Sequence, residues 1–185
     1  MLFRSKEMGH YTLNYPEKKN RIGIQPIQFQ EGHVFSVNME KFLKEPDSII
    51  ERLMINSYHA LVCFDIEATH SYISRDFVSK NKIPNRGLRR PIRVSSTEGK
   101  MLANTVCRNM TLGFKTHNFP SELVVLDLQG FDIIIGKDWM SKYDGQIDQA
   151  NKRVMLTTPN QKRIMYQCKI KNEDKQGDIK SSSIK

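Results

Sequence analysis

Residues 60–74 read Ala60-Leu61-Val62-Cys63-Phe64-Asp65-Ile66-Glu67-Ala68-Thr69-His70-Ser71-Tyr72-Ile73-Ser74. An unbroken apolar run makes a strand, and a single aspartate stands where that strand must turn. Ser71 is placed to cap a short helix reaching Lys80, because Ile73, Phe77 and Val78 share one helical face. Cys63 lies within the apolar run and reads as a small buried hydrophobe. A lone aspartate after a strand is ordinarily a turn or helix-capping residue, so the meaning of Asp65 depends on the rest of the chain.

The surroundings are strand-rich. Ile49–Ile55 precedes Ala60–Asp65 across Asn56-Ser57, which predicts a hairpin. Pro84–Pro91 reads as a basic loop. Ile92–Val94 and Met101–Val106 flank the polar turn Ser96-Thr97-Glu98-Gly99-Lys100, a second hairpin. Leu123–Leu126 and Phe131–Ile135 are short apolar strands, and the run Ile133-Ile134-Ile135 predicts burial on both faces. Gly136 ends it, and Asp138-Trp139-Met140 begins a helical turn. Arg153–Thr157 and Arg163–Ile170 form a last hairpin across Pro159-Asn160. Many short strands with one or two short helices predict an all-β, closed barrel-like domain.

The 185 residues allow one compact domain with flanking segments. The expected organisation is an unfolded segment over 1–20, a linker over 21–33, the domain over 34–170 and a disordered basic tail over 171–185. No apolar run reaches the ~20 residues of a membrane span, and the first residues lack a secretory core, so a cytoplasmic location without membrane attachment is expected. Cys63, Cys107 and Cys168 are widely spaced and form neither a metal-ligand pattern nor a disulfide framework. A net charge of +9 favours anionic partners, but the basic residues are spread rather than striped.

A second informative stretch is Leu123-Val-Val-Leu-Asp-Leu-Gln-Gly-Phe-Asp-Ile-Ile-Ile-Gly-Lys-Asp-Trp-Met-Ser-Lys-Tyr143. Together, the two stretches resemble the aspartic protease of gypsy-type retrotransposon Gag-Pol polyproteins. The first corresponds to that family's active-site segment, apolar-apolar-F-D-[ST]-G-A-[ST]-H-S-F-I. The second is similar to its distal segment, in which two aliphatics and a glycine pass behind the active-site loop before a D-W-[LM] helix. The resemblance covers roughly 32–167 and implies a retropepsin-like acid protease fold.

It also implies a chemistry. In the family, two aspartates, one per subunit of a homodimer, share a proton and activate a water against the carbonyl of an extended peptide. This chain offers one such element, so Asp65 would be the catalytic residue and its mate would come from a second copy. Ile66, Glu67, Ala68 and Thr69 would form the active-site loop. Thr97, Glu98, Gly99 and Lys100 would form a flap closing on the peptide, and Ile134, Ile135 and Gly136 would be structural support. No cofactor and no metal are expected.

Two positions depart from the family. Ile66 stands where it has Ser or Thr, and Glu67 where it has Gly. The family's hydroxyl hydrogen-bonds across the dimer axis; isoleucine has neither donor nor acceptor. Glycine permits a tight turn and close approach, whereas Glu67 adds bulk and a second carboxylate. Impaired catalysis is therefore expected, with a non-catalytic dimerisation or peptide-binding module as the alternative. The N-terminus resembles the family's upstream zinc knuckle, C-x2-C-x4-H-x4-C, but alignment on His10 puts Leu2, Ser5 and Tyr15 at the cysteine positions. One histidine cannot hold zinc, so a disordered basic tail is the expectation, with weak, salt-sensitive RNA or DNA binding through the basic termini as the alternative.

Overall fold

The computed structural model describes residues 28–44 and 49–168. The knuckle-like segment over 1–20 and the tail over 171–185 lie outside the described residues. The elements are β1 (Gln30–His33), α1 (Met39–Phe42), β2 (Ile49–Ile55), β3 (Tyr58–Phe64), β4 (Tyr72–Ser74), α2 (Arg75–Lys80), β5 (Arg86–Ser96), β6 (Gly99–Phe114), β7 (His117–Leu126), β8 (Ile133–Ile135), α3 (Lys137–Lys142), β9 (Gln146–Asp148), β10 (Arg153–Thr157) and β11 (Arg163–Gln167).

Strands β6, β2, β3, β8, β4 and β7 are hydrogen-bonded in that order, and β7 pairs back onto β6. Six strands therefore close on themselves, the all-β barrel that the strand pattern predicted. β5 and then β1 extend the sheet beyond β6, outside the ring, while β9, β10 and β11 form a separate three-stranded sheet. The β2–β3 hairpin runs from Ile49 opposite Phe64 to Ile55 opposite Tyr58. Its turn is allowed by Asn56 at φ 53°, a left-handed conformation that asparagine tolerates better than most residues.

The wall of the barrel separates two apolar clusters, as alternation along a strand requires. Val62, Phe64, Ile133 and Ile135 face one side with Phe114, Phe119, Trp139 and Tyr143. Cys63 and Ile134 face the other with Val34, Met39, Phe42, Tyr72 and Val94. The triple-isoleucine strand β8 is thus buried on both faces, as its sequence predicted. Phe114 sits at the centre of the first cluster, 5.4 Å from Phe119 and 5.3 Å from Tyr166 in edge-to-face contacts, an arrangement favoured by the ring quadrupoles. All three cysteines are buried.

Three expectations are corrected. The helix after the aspartate begins at Arg75, not Ser71, and its cap is Ser74, whose Oγ accepts the N–H of Phe77 at 3.5 Å. Tyr72-Ile73-Ser74 is instead β4, parallel to Val124–Leu126 and antiparallel to β8. Three consecutive buried residues cannot occupy one helical face, so strand pairing overrides the helical spacing. Secondly, Pro84–Pro91 is not a plain loop. Arg86 and Gly87 pair with Val106 and Thr105, the register then shifts, and pairing resumes at Ile92. Pro91 falls in that irregular stretch, where its missing N–H costs no ladder bond. Thirdly, β1 lies in the stretch read as linker: Gln30–His33 pairs in parallel with Ile92–Ser95.

Candidate active site

Strand β3 delivers Asp65 to the end of the barrel wall, where its N–H donates to the carbonyl of Ile135 at 3.0 Å. Asp65 is only 4% exposed. Its Oδ1 accepts the N–H groups of Glu67 at 2.8 Å and Ala68 at 3.1 Å, which curls the loop around it. Its Oδ2 accepts the N–H of Phe35 at 3.0 Å, from far upstream in the chain.

The loop rests on the distal segment. The N–H of Lys137 donates to the carbonyl of Ala68 at 2.8 Å. The N–H of Gly136 donates to Ser71 Oγ at 3.0 Å, and that hydroxyl donates to Asp138 Oδ1 at 2.6 Å. A Cβ on Gly136 would lie 2.3 Å from the His70 carbonyl oxygen and 2.8 Å from that of Ala68. Only a hydrogen fits there, so Gly136 sets how closely β8 and the loop approach. Ser71 and Asp138 tie β4 to α3, a role that the cap assigned to Ser71 from sequence did not include. His70 Nδ1 lies 2.9 Å from Thr69 Oγ1 and stands before β4 rather than at a helix start.

Both departures lie at the surface. Ile66 is 49% exposed, one of few large apolar side chains on the surface. Glu67 is also exposed, and it is not among the described residues with positive φ. The loop therefore turns at Glu67 without a left-handed residue, and what the side chain adds to the single chain is bulk and charge.

The β5–β6 hairpin holds the residues expected to form a flap, Thr97, Glu98, Gly99 and Lys100. Its tip is Thr97-Glu98, and Gly99 takes φ +128°, a conformation that side-chain-bearing residues rarely adopt. Ser95 and Ser96 pair with Lys100 and Gly99. Burial would push the Glu98 carboxyl up, but hydrogen bonds from Ser36 Oγ, the Val37 N–H and Thr97 Oγ1, with Lys41 Nζ at 3.2 Å, hold it down to about 2.

Between this hairpin and the loop runs the segment 33–37, which sequence reasoning did not place in the site. The carbonyl of His33 accepts the Thr69 N–H at 2.9 Å, and the His33 N–H donates to Thr69 Oγ1 at 2.8 Å. On the opposite edge Val34 N–H donates to the Ser95 carbonyl at 3.0 Å, and Thr97 N–H donates to the Phe35 carbonyl at 3.1 Å. Asp65, Thr69, Thr97 and Glu98 are therefore brought together through this segment. Its only sequence signal is a weak alternation, Gly32, Val34 and Ser36 all being buried.

A closed six-stranded barrel, a long β5–β6 hairpin and an aspartate at a strand end backed by β8 and by Gly136 just beyond it define a retropepsin-like domain. The family model described as retroviral aspartyl protease matches residues 28–162, and the chain belongs to that family. Among solved structures, the chain is similar to the crystal structure of the retroviral protease-like domain of Ddi1 from Leishmania major, with 16% identity and a TM-score of 0.49 over 68% of this chain and 96% of that one. No curated protein matches the sequence.

Proposed function

We propose that this is an aspartic-endopeptidase-like domain of a gypsy-type retrotransposon polyprotein, built to act as a homodimer on extended peptides and impaired in hydrolysis by Ile66 and Glu67. The observation that carries the reading is the setting of Asp65: a buried carboxylate, cradled by loop N–H groups, at the end of a strand backed by Ile134, Ile135 and Gly136. An ordinary turn aspartate does not require such bracing.

With a second copy across a two-fold axis, one carboxylate would take a proton from water as it attacks the peptide carbonyl carbon. The other, protonated, would donate to the carbonyl oxygen. Like charges so close share one proton, which divides the two roles. Ile66 supplies no hydrogen bond across that axis. Glu67 brings two further carboxylates to it, and a like-charge pair ~5 Å apart costs about 3 kcal/mol at an effective dielectric constant near 20. That is on the order of a hundredfold in dimer affinity, enough to depopulate the dimer that hydrolysis needs.

Restoration tests this. The double change Ile66→Ser with Glu67→Gly gains cleavage of a family-type peptide, and adding Asp65→Asn removes it. Full-rate cleavage by the unmodified chain overturns the claim of impairment. A second reading, a non-catalytic peptide-binding module, is favoured by the main-chain bonding of segment 33–37 to both flap and loop.

A further inference from the structure

We propose that Gly32–Val37 is a built-in occupant of the peptide cleft, a strap that holds the site closed in the single chain and displays the kind of peptide the cleft accepts. This rests on the reading of flap and loop as a peptide cleft. It deepens that reading by naming the occupant and its chemistry.

Through His33 and Val34 the bonding resembles that of an added strand, in which main-chain hydrogen bonds hold a peptide and pockets read its alternate side chains; at Phe35 the chain bends. One edge of the strap bonds to the flap through Val34 N–H and the Phe35 carbonyl; the other bonds to the loop through both main-chain groups of His33 and the N–H of Phe35. β1 lies outside the closed ring of strands, paired among the described residues only with β5, so the barrel closes without it. The strap continues into a fixed anchor: Gln129 N–H donates to the Val37 carbonyl at 2.7 Å, and Met39 N–H donates to the Gln129 carbonyl at 2.9 Å. Beyond that anchor, Met39 and Phe42 are buried in the core.

Side chains give the cleft its selectivity. At Gly32 a Cβ would lie 2.8 Å from Ile92 Cγ2 and 3.0 Å from the Tyr72 hydroxyl, so that position admits no side chain. The Tyr72 hydroxyl beneath it is buried without a hydrogen-bond partner, a polar group covered by the strap. Two residues on, Val34 is fully buried; two further, Ser36 is buried and donates to Glu98 at 2.7 Å. The cleft therefore takes an extended peptide with glycine, then a β-branched aliphatic, then a small hydroxyl at alternate positions. His33 projects to solvent. Outside the cleft, Arg93 clasps the strap's upstream end through Glu31 at 3.2 Å and the Phe29 ring at 4.5 Å.

A tethered strap is present at an effective concentration on the order of millimolar, and a free peptide binds only in the open fraction. The test uses the full chain and a fluorescent peptide of residues 30–38, followed by anisotropy, with amide exchange at Thr69 and Thr97. Gly32→Val makes the strap too large, and His33→Pro removes one of its loop bonds without touching the core; the second serves if the first fails to fold. Both variants bind the peptide at least tenfold more tightly than the unmodified chain. Their Thr69 and Thr97 amides exchange faster, and peptide restores the protection. A peptide carrying valine for its glycine does not bind. Equal binding by all three proteins overturns the proposal, as does unchanged exchange in both variants, which would make the segment an ordinary edge strand. No step of this test requires hydrolysis or a dimer. Its failure alongside successful restoration of cleavage removes the strap alone, whereas the reverse removes the endopeptidase reading alone.

Discussion

The N–H of Phe35 donates to Oδ2 of Asp65 across 3.0 Å, joining the segment before the barrel to the carboxylate at its mouth. With Glu67 and Ala68 donating to Oδ1, three main-chain groups converge on one buried side chain. Asp65 therefore has a structural duty in the single chain beside the chemical one proposed for the dimer. Asp65→Ala leaves buried donors unmet, at about 1–3 kcal/mol each before relaxation, and a total loss of about 2–4 kcal/mol is expected. Asp65→Asn, which keeps an acceptor, loses about half as much or less. Urea unfolding of the two variants separates them.

Gly136 is a steric prediction. Gly136→Ala drives a methyl group against the main chain at His70 and Ala68, where no side chain can rotate away. The expected cost is about 3–5 kcal/mol, at the upper end of overpacking penalties. The loss shows as a large drop in unfolding midpoint or an unfolded product. Ser71→Ala, which removes only the hydroxyl bridge between Gly136 and Asp138, costs less, about 1–3 kcal/mol.

Glu98 gives a pH dependence. Its carboxyl is held at about 2 in the folded chain against an ordinary 4.5. A depressed value means that its contribution is complete above about 4.5 and is lost as pH falls toward about 2. Protection of the Thr97 amide, corrected for intrinsic exchange, is therefore flat from neutral pH to about 5 and declines below that. Glu98→Gln lowers the protection at neutral pH and removes this component of the decline.

Asp132 carries the opposite sign. Burial raises its carboxyl above the usual range, although it accepts the Leu61 N–H at 2.7 Å and so helps join β3 to β8. A raised value means that the ionised form is penalised by folding, a cost absent in acid and present at neutral pH. Asp132→Asn keeps the acceptor and sheds the penalty, so its melting temperature at neutral pH equals or exceeds that of the unmodified chain. Asp132→Ala leaves Leu61 unmet and loses about 1–3 kcal/mol.

The barrel was legible where local chemistry and burial agreed. Cys63 and Ile134 lie in continuous apolar runs, and such runs read directly as walls with two buried faces. The Asn56-Ser57 and Ser96–Lys100 turns carried their own punctuation. Ser71 misled because Ile73, Phe77 and Val78 mimic a helical face, while the pairing of β4 with β7 and β8 depends on partners some fifty residues or more away. Asp65, Gly136 and the polar turn of the β5–β6 hairpin stand out in the sequence as motifs. The strap does not: Gly32, Val34 and Ser36 are small and mixed in polarity, so their alternation does not stand out. Only the folded chain joins the segment to Ser95 through Val34, to Thr69 through His33 and to Asp65 through Phe35.

In the proposed dimer Asp65 meets its own copy, and Ile66 and Glu67 hold the two apart. The decisive measurement is molar mass by sedimentation equilibrium, on the unmodified chain and on Ile66→Ser with Glu67→Gly. A monomer is expected for the first and a concentration-dependent dimer for the second, with dimerisation strengthened on the order of a hundredfold, the size of the repulsion removed. A double variant that stays monomeric at its solubility limit, or an unmodified chain that dimerises equally well, contradicts it.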